Sequence, residues 1–518
     1  MPFTRRRFAQ TITAASALAA TTNRNADAQG SGVFRHGVAS GDPLINRVIL
    51  WTRVSVPADE EMTVVEWAIA GDAAMQGVLQ RGVTSTNSAF DYTVKVDVTR
   101  LDPGRTYYYQ FTAKGTASPV GRTKTLPIGN PERLRFAVAS CSNFPYGYFN
   151  AYRNIAARAD LDFVTHLGDY IYEYGNRQYG DGAPLGRVPM PDKEIVTLQD
   201  YRQRYAQYRG DPDLQEAHRQ HPWIVVWDDH ESANDAWENG AGNHTAATEG
   251  DWNTRRAVAA QAWFEWLPVR ENPYLGGQIY RNFPFGSLMD YVVLDTRLAG
   301  RSQQVAANSP ALLDGNRSLL GAEQEAWFFQ ELAASKNRNT RWRVVGQQVM
   351  MGQVLSPDGT PVNSDQWDGY PVARARVLGH LAQSQISNVV VLTGDIHSSW
   401  GNEIAGNPFA PGYVAQAVEF VCPAITSPGI DDRAQATALQ LQLGATHPHV
   451  KYVELYRRGY LLMDVTAERA QAEWYHVRTI TERTADEELG RVLFARSGES
   501  RLQPGTASAA GSGAPLAP

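Results

Sequence analysis

Cysteine is almost absent from this chain: Cys141 and Cys422 are the two in 518 residues. A disulfide framework needs more, so none is expected. A dominant charge is missing too. Forty-eight Lys and Arg stand against 54 Asp and Glu, for a net charge of −6. That leaves no basic footprint for a stable nucleic-acid partner. No apolar run reaches the roughly 20 residues of a bilayer span, so no membrane anchor is expected in the mature chain. What remains is an ordinary globular composition, 43% hydrophobic and 20% charged. A chain of this length suggests two to four domains, one of them able to hold a large sheet.

The N-terminus reads as an address. Thr4-Arg5-Arg6-Arg7-Phe8 is a twin-arginine pattern, a mildly apolar stretch follows from Thr11 to Ala20, and Ala26-Asp27-Ala28 is an A-x-A cleavage site. Residues 1–28 are therefore expected to be a signal peptide read by the twin-arginine export machinery. The mature protein is expected in the periplasm or outside the cell. Because this route carries folded proteins, metals can be acquired before export.

Residues 30–128 read as a separate Ig- or fibronectin-like β-sandwich. Val48–Val54, Val64–Ile69 and Tyr92–Val98 have strand composition. Leu101-Asp102-Pro103-Gly104 leads into the aromatic run Tyr107–Phe111, a tyrosine-corner pattern. Leu126–Pro131 reads as a linker. From 131 to 480 strands alternate with helices, which predicts an α/β domain. Strands are expected at 134–139, 161–167, 223–228, 290–295, 341–346 and 388–394. Helices are expected at Trp252–Leu267, Glu323–Ala334 and Ala373–Gln385. The segment 481–502 is expected to hold a charged helix, Thr484–Phe494. Residues 503–518, almost all Ala, Gly, Pro and Ser, are expected to be a disordered tail.

Reactive side chains collect at strand ends. Ser140-Cys141 follows one apolar run, Gly168-Asp169-Tyr170-Ile171-Tyr172-Glu173 a second, Trp227-Asp228-Asp229-His230-Glu231 a third, and Gly394-Asp395-Ile396-His397 a fourth. Asp395 and His397 are two apart and point to one side. Asp169 is able to bridge two cations. Consecutive acids at a buried strand end are costly unless cations neutralise them. Asn234 and Asp235 can add oxygens to a calcium shell. A thiolate and a phenolate among carboxylates favour a ferric ion. Cys422, in an apolar context, reads as a buried filler. The set points to a metal-dependent phosphoester hydrolase.

A phosphoryl group also needs positive charge on its outer oxygens. Arg255, Arg256, Arg270 and Arg297 are candidates, and Arg255 is the expected clamp. Gly242-Asn243-His244 resembles a phosphoesterase motif, but no strand precedes it, so it reads as loop.

These motifs, in this order, resemble the alkaline phosphatase D (PhoD-type) family of the metallophosphoesterase superfamily. The resemblance runs from His36-Gly37-Val38-Ala39-Ser40-Gly41-Asp42-Pro43 and Leu50-Trp51-Thr52-Arg53, through the four strand-end motifs and Gly346-Gln347-Gln348-Val349, to about residue 480. Gln347 stands where the family pattern has Asn. The resemblance implies a metallophosphoesterase-like α/β sandwich, with β-sheets flanked by helices. It implies Fe3+ held by Cys141, Asp169, Tyr172, Asp395 and His397. It also implies Ca2+ held by Asp169 and Asp229, with Asp228 and Asn234 beside it. His230 is then the phosphate-facing histidine and candidate general acid. The implied activity is an exported alkaline phosphatase, a phosphomonoesterase of small-molecule phosphoesters with room for diesterase activity, and in-line attack on phosphorus by a metal-held hydroxide is expected; a monomer is expected separately. A phospholipase-like diesterase on the same metals, or a non-catalytic phosphate-binding protein, is the alternative.

Overall fold

The computed structural model describes residues 32–57, 59–271 and 278–518. The expected signal peptide, residues 1–28, lies outside the described residues. Eight strands precede residue 128: β1 (Val38–Leu44), β2 (Arg47–Arg53), β3 (Thr63–Ala70), β4 (Val78–Thr86), β5 (Thr93–Thr99), β6 (Thr106–Ala113), β7 (Thr116–Ala117) and β8 (Gly121–Lys124). The central strands are β9 (Arg133–Ala139), β10 (Phe163–His166), β11 (Pro222–Val225), β12 (Arg281–Phe285), β13 (Met289–Val293), β14 (Trp342–Gly346), β15 (Val389–Thr393), β16 (Ser399–Ala405) and β17 (Ala415–Val421). The chain ends with β18 (Val450–Glu454), β19 (Gly459–Thr466), β20 (Arg469–Val477), β21 (Glu487–Arg496) and β22 (Leu502–Pro504).

One sheet runs β22-β21-β20-β19-β9-β10-β11-β1-β2-β5, and a second runs β12-β13-β14-β15-β17-β16-β18. Their inner faces pack on each other. Phe136 of β9 stacks on Phe163 of β10 at 4.4 Å, and Phe163 on Phe285 of β12 at 4.9 Å. The parallel strands β9, β10 and β11 are buried on both faces, which is why they read as near-continuous apolar runs. The outer face of the second sheet is covered by the helices Gly321–Asn337 and Pro371–Gln383, through Phe328, Leu332, Val377 and Leu381. The helix Trp252–Trp266 starts where the Asp251 side chain accepts from the Thr254 amide. The six expected α/β strands and three expected helices are all present, with no end shifted by more than three residues.

The N-terminal β-sandwich is present but not separate. β3 and β6 pack over β1, β2 and β5 through Val65, Ile69, Tyr109 and Phe111. The corner tyrosine is Tyr107, whose hydroxyl accepts the Asp102 amide at 2.7 Å. Yet β1 pairs in parallel with β11. One sheet of the sandwich is thus a continuation of the ten-stranded sheet that holds β9, β10 and β11, and the boundary near 128 is not a break in hydrogen bonding.

Two C-terminal expectations are corrected. The segment read as a helix, Thr484–Phe494, contributes strand β21 instead. β20 offers a free edge, and Leu493 and Ala495, two apart, reach the core while Glu488 and Arg491 stay exposed. The segment 503–518, read as disordered, is an ordered strap. Its backbone carbonyls at Ala509, Pro515 and Ala517 accept from Arg133, Tyr108 and Gln220. Its Gly511 amide donates to Asp160. The small residues allow close approach: a Cβ at Gly513 would sit 2.0 Å from the Ala159 carbonyl oxygen. Backbone hydrogen bonds and this one close crossing, rather than side-chain burial, hold the segment. Among the described residues no helix is long and apolar enough to cross a membrane.

Candidate metal centre

The C-terminal ends of β9, β10, β11 and β15 lie side by side, and each feeds a tight turn. Cys141, Asp169, Asp395 and His397 all have positive φ, at 62, 56, 61 and 57 degrees. Left-handed backbone at non-glycine residues is strained, and it concentrates where side chains must be aimed. Two glycines make room. A Cβ at Gly168 would meet the Asp228 amide nitrogen at 2.4 Å, and one at Gly394 would meet the Ser140 hydroxyl at 2.2 Å.

The turns deliver overlapping donor groups. Cys141, Asp169 and His397 form one, Asp169, Asp229 and His230 a second, Asp228, Asp229 and Asp395 a third, and Asp229, Asp235 and Asp365 a fourth, each with ligand atoms within 4.8 Å of one another. Asp169 and Asp229 are shared, so the groups form a chain able to hold more than one cation. Tyr172 donates to Asp169 at 2.9 Å, lies 3.1 Å from His397 Nε2, and accepts from Ser427 at 2.6 Å. Of the expected ferric set, Cys141, Asp169, Tyr172 and His397 thus meet at one end of the two packed sheets, while Asp395 falls in the third group and faces Arg297.

The donor set fits cations. Asp169 Oδ1 and Asp228 Oδ2 are buried and meet no hydrogen-bond donor among the described residues, a costly state unless a positive charge faces them. Burial pushes the carboxyls of Asp228 and Asp395 up, and that of Asp229 to about 7. Burial likewise raises the Cys141 thiol, with the Asp169 charge adding to it. Both effects oppose ionisation and would be reversed by a metal. Cys422 is buried and unpaired, as Cys141 is. It fills the core beside Phe420 and Ile425.

A cleft of 390 Å3 opens over the centre, lined by Asp169, Tyr179, Asp229, His230, Asn234, Asp235, Asp365, Asp395 and His397 among others. His230 is clamped by Glu173 at 2.7 Å. Burial alone would discharge it, but the carboxylates of Glu173, Asp229 and Asp169 prevail and hold its proton. Its ring lies against Tyr172 at 4.3 Å and Tyr179 at 5.8 Å. Asn234 lines the cleft and donates its amide to Glu173. Asn243, in the loop before His244, also bonds Glu173, so that segment is a structural loop.

The expected phosphate clamp is corrected. Arg255 has a fully buried side chain paired at 2.8 Å with both Glu194 and Glu249, and it also bonds the Asn243 and Ile195 carbonyls. Its donors are spent on holding loops, and it does not line the cleft. Arg256 caps Glu238, and Arg270 bonds Asp42 and Asp97. Among the four candidates Arg297 alone reaches the centre. It is buried and bonds Asp228, with Asp365 and Asp395 each at 2.6 Å. Reading the sequence missed Asp365 and Tyr179, which come from loops with no strand-end signature. It also missed the part of Glu173, although Glu173 ends a quoted motif. The amide oxygen of Gln348 accepts from Thr296, and Gln347 bonds Thr393, so both glutamines fasten strand ends.

Comparison with known proteins agrees along most of the chain. The sequence model described as "PhoD-like phosphatase" matches residues 136–474, and that of the "PhoD-like phosphatase, N-terminal domain" matches residues 17–127. Alkaline phosphatase D of Bacillus subtilis (strain 168) is 37% identical over 469 residues, covering 87% of this chain and 78% of that protein. A solved structure titled "Structure of PhoD" superposes with a TM-score of 0.84 at 34% identity, covering 93% of this chain and 94% of that one.

Proposed function

The chain belongs to the PhoD-like phosphatase family and is a phosphatase; from that premise we propose an exported phosphomonoesterase that uses ferric iron and calcium. Cys141, Asp169, Tyr172, Asp395 and His397 would hold the iron. Asp169 and Asp229, with Asp228 and Asn234, would hold the calcium. When bound, such cations lower the pKa of water and neutralise phosphate charge. The chain's own residues do the rest. Asp169 and Asp229 belong to more than one donor group and would serve neighbouring cations from one set of turns. Glu173 binds His230 Nδ1 and leaves the imidazolium a proton to give from Nε2 to a departing alkoxide. Tyr179 and Asp365 line the cleft beside them. The substrate is a small-molecule phosphoester, and the protein works as a monomer in the periplasm or outside the cell after twin-arginine export.

The observation that carries this reading is the chain of overlapping donor groups sharing Asp169 and Asp229, with two buried carboxylate oxygens unmet by any donor. The test uses 4-nitrophenyl phosphate and bis(4-nitrophenyl) phosphate. EGTA treatment and Cys141→Ala should each abolish hydrolysis. Elemental analysis of the exported protein should find iron and calcium. Full activity in both treatments would overturn the metal assignment, and faster turnover of the diester would move the assignment to a phosphodiesterase.

A further inference from the structure

Beside the polar cleft lies a second, larger cavity of 830 Å3, against 390 Å3 for the cleft. Its walls are apolar: Met350, Val354, Trp400, Leu439, Leu443 and Leu455. It has no Asp, Glu, Lys or Arg in its lining. Its histidine, His447, is already engaged, with Nε2 accepting the Leu355 amide and Nδ1 meeting the Thr446 hydroxyl at 2.8 Å. The hydroxyls of Ser356 and Ser398 are likewise bonded to their own neighbours. A sugar or a charged head group would find few partners there, whereas a hydrocarbon would need none.

The two cavities meet. Asn363 and Ile396 line both. Ile396 stands between Asp395 and His397, and its side chain packs with the apolar cluster of Trp400, Leu443 and Leu455. Gln366 lines the apolar cavity while its amide lies 3.3 Å from Asp395 Oδ2. One turn thus aims two ligating side chains into the cleft and an isoleucine into the cavity. Val362, 64% exposed, and Phe409, 37% exposed, line it where it meets solvent. Exposed apolar surface beside a concave site marks a ligand groove.

Resting on the reading of the cleft as the hydrolytic centre, we propose that this cavity is a subsite for the organic group of the substrate. It selects phosphoesters of neutral alkyl or alkyl-aryl alcohols, with the phosphate in the cleft and the hydrocarbon running over Ile396. Hydrolysis adds water across the phosphoester bond, breaks it, and releases the alcohol into the cavity and phosphate into the cleft.

The test is a series of n-alkyl phosphates from methyl to octyl, read as release of inorganic phosphate. kcat/KM should rise about fourfold per added methylene until the cavity fills, the factor that buried methylenes give. Leu439→Trp occupies the cavity and should cut the octyl-to-methyl ratio by about tenfold or more; the ratio is taken within each protein, so a loss of folded fraction cancels. A flat series in the unaltered enzyme, with methyl phosphate turned over, overturns the subsite and leaves the phosphatase reading standing. If no phosphate ester is hydrolysed, that reading fails instead, and calorimetric titration with n-alkylphosphonates decides the subsite. Affinity that climbs with chain length supports it, and length-independent affinity overturns it.

Discussion

Glu231 ties the Asp169 turn to the end of β11. Its Oε2 accepts the backbone amides of Asp169 at 3.0 Å and Asp228 at 2.8 Å, and its Oε1 accepts that of Tyr170 at 2.6 Å. One carboxylate thus fixes the backbone of two candidate ligands from different strands. Replacing Glu231 with Ala leaves three buried amides unmet, at about 1–3 kcal/mol each. The expected outcome is a lower Tm and a 10–100-fold loss of metal affinity, as when groups that orient ligands are removed. Glu231→Gln should fall between, because its amide nitrogen cannot accept. Elemental analysis and thermal melts check this; full metal content with an unchanged melt would refute it.

Arg255 and Arg297 should separate cleanly. Arg255→Met breaks a buried pair with Glu194 and Glu249, which costs about 3–5 kcal/mol of stability. Its KM for 4-nitrophenyl phosphate, measured well below the melt, should change less than about twofold. Arg297→Met unties Asp228, Asp365 and Asp395 and should cost kcat/KM about a hundredfold. A raised KM in the Arg255 variant alone would restore Arg255 as the clamp.

Deleting residues 504–518 should lower Tm and leave kcat/KM as it was. The strap contacts Arg133, Asp160 and Gln220, beside the N-terminal ends of β9, β10 and β11. The candidate metal centre sits at the opposite, C-terminal ends. Thermal melts and steady-state kinetics on the same preparation test it, and a lost activity with an unmoved melt contradicts it.

Acid should destabilise the fold through histidines buried in the neutral form. Burial, with Arg122 nearby, lowers His221 to about 3; burial, with Arg457 nearby, does the same to His476. The unfolded chain takes up protons near the ordinary value of about 6.5. Stability is therefore full above that value and falls as pH drops toward 3. Each group adds a slope of about 1.4 kcal/mol per pH unit within that window. Urea midpoints at pH 7 and pH 4.5 should converge in His221→Gln and His476→Gln. Equal slopes in variants and parent would rule these two groups out.

The strand-end motifs were legible because they are local. A buried parallel strand announces itself as an apolar run, and the residue that leaves it is identified by position. Cys141, Asp169, Asp229, Asp395 and His397 could be named on that basis, and they do converge. The C-terminal strand was not legible, since Glu487–Arg496 becomes a strand only when the β20 edge is there to pair with. Nor was the strap, because Gly and Ala look alike in a disordered tail and in a tight crossing.

Residue order alone established which atoms this protein has to offer: a thiol leaving a strand beside polar neighbours, a phenol three residues past an aspartate, and pairs of acids where buried strands stop. Those follow from side-chain chemistry and the two-residue period of a strand. Only the tertiary structure decided which charges face them. It sent Arg255 into Glu194 and Glu249 and Arg297 among three aspartates. It also brought Asp365 in from a distant loop and set an apolar cavity against Ile396. Those outcomes depend on how loops from separate strands pack, and burial leaves a charged group no choice but the nearest opposite charge.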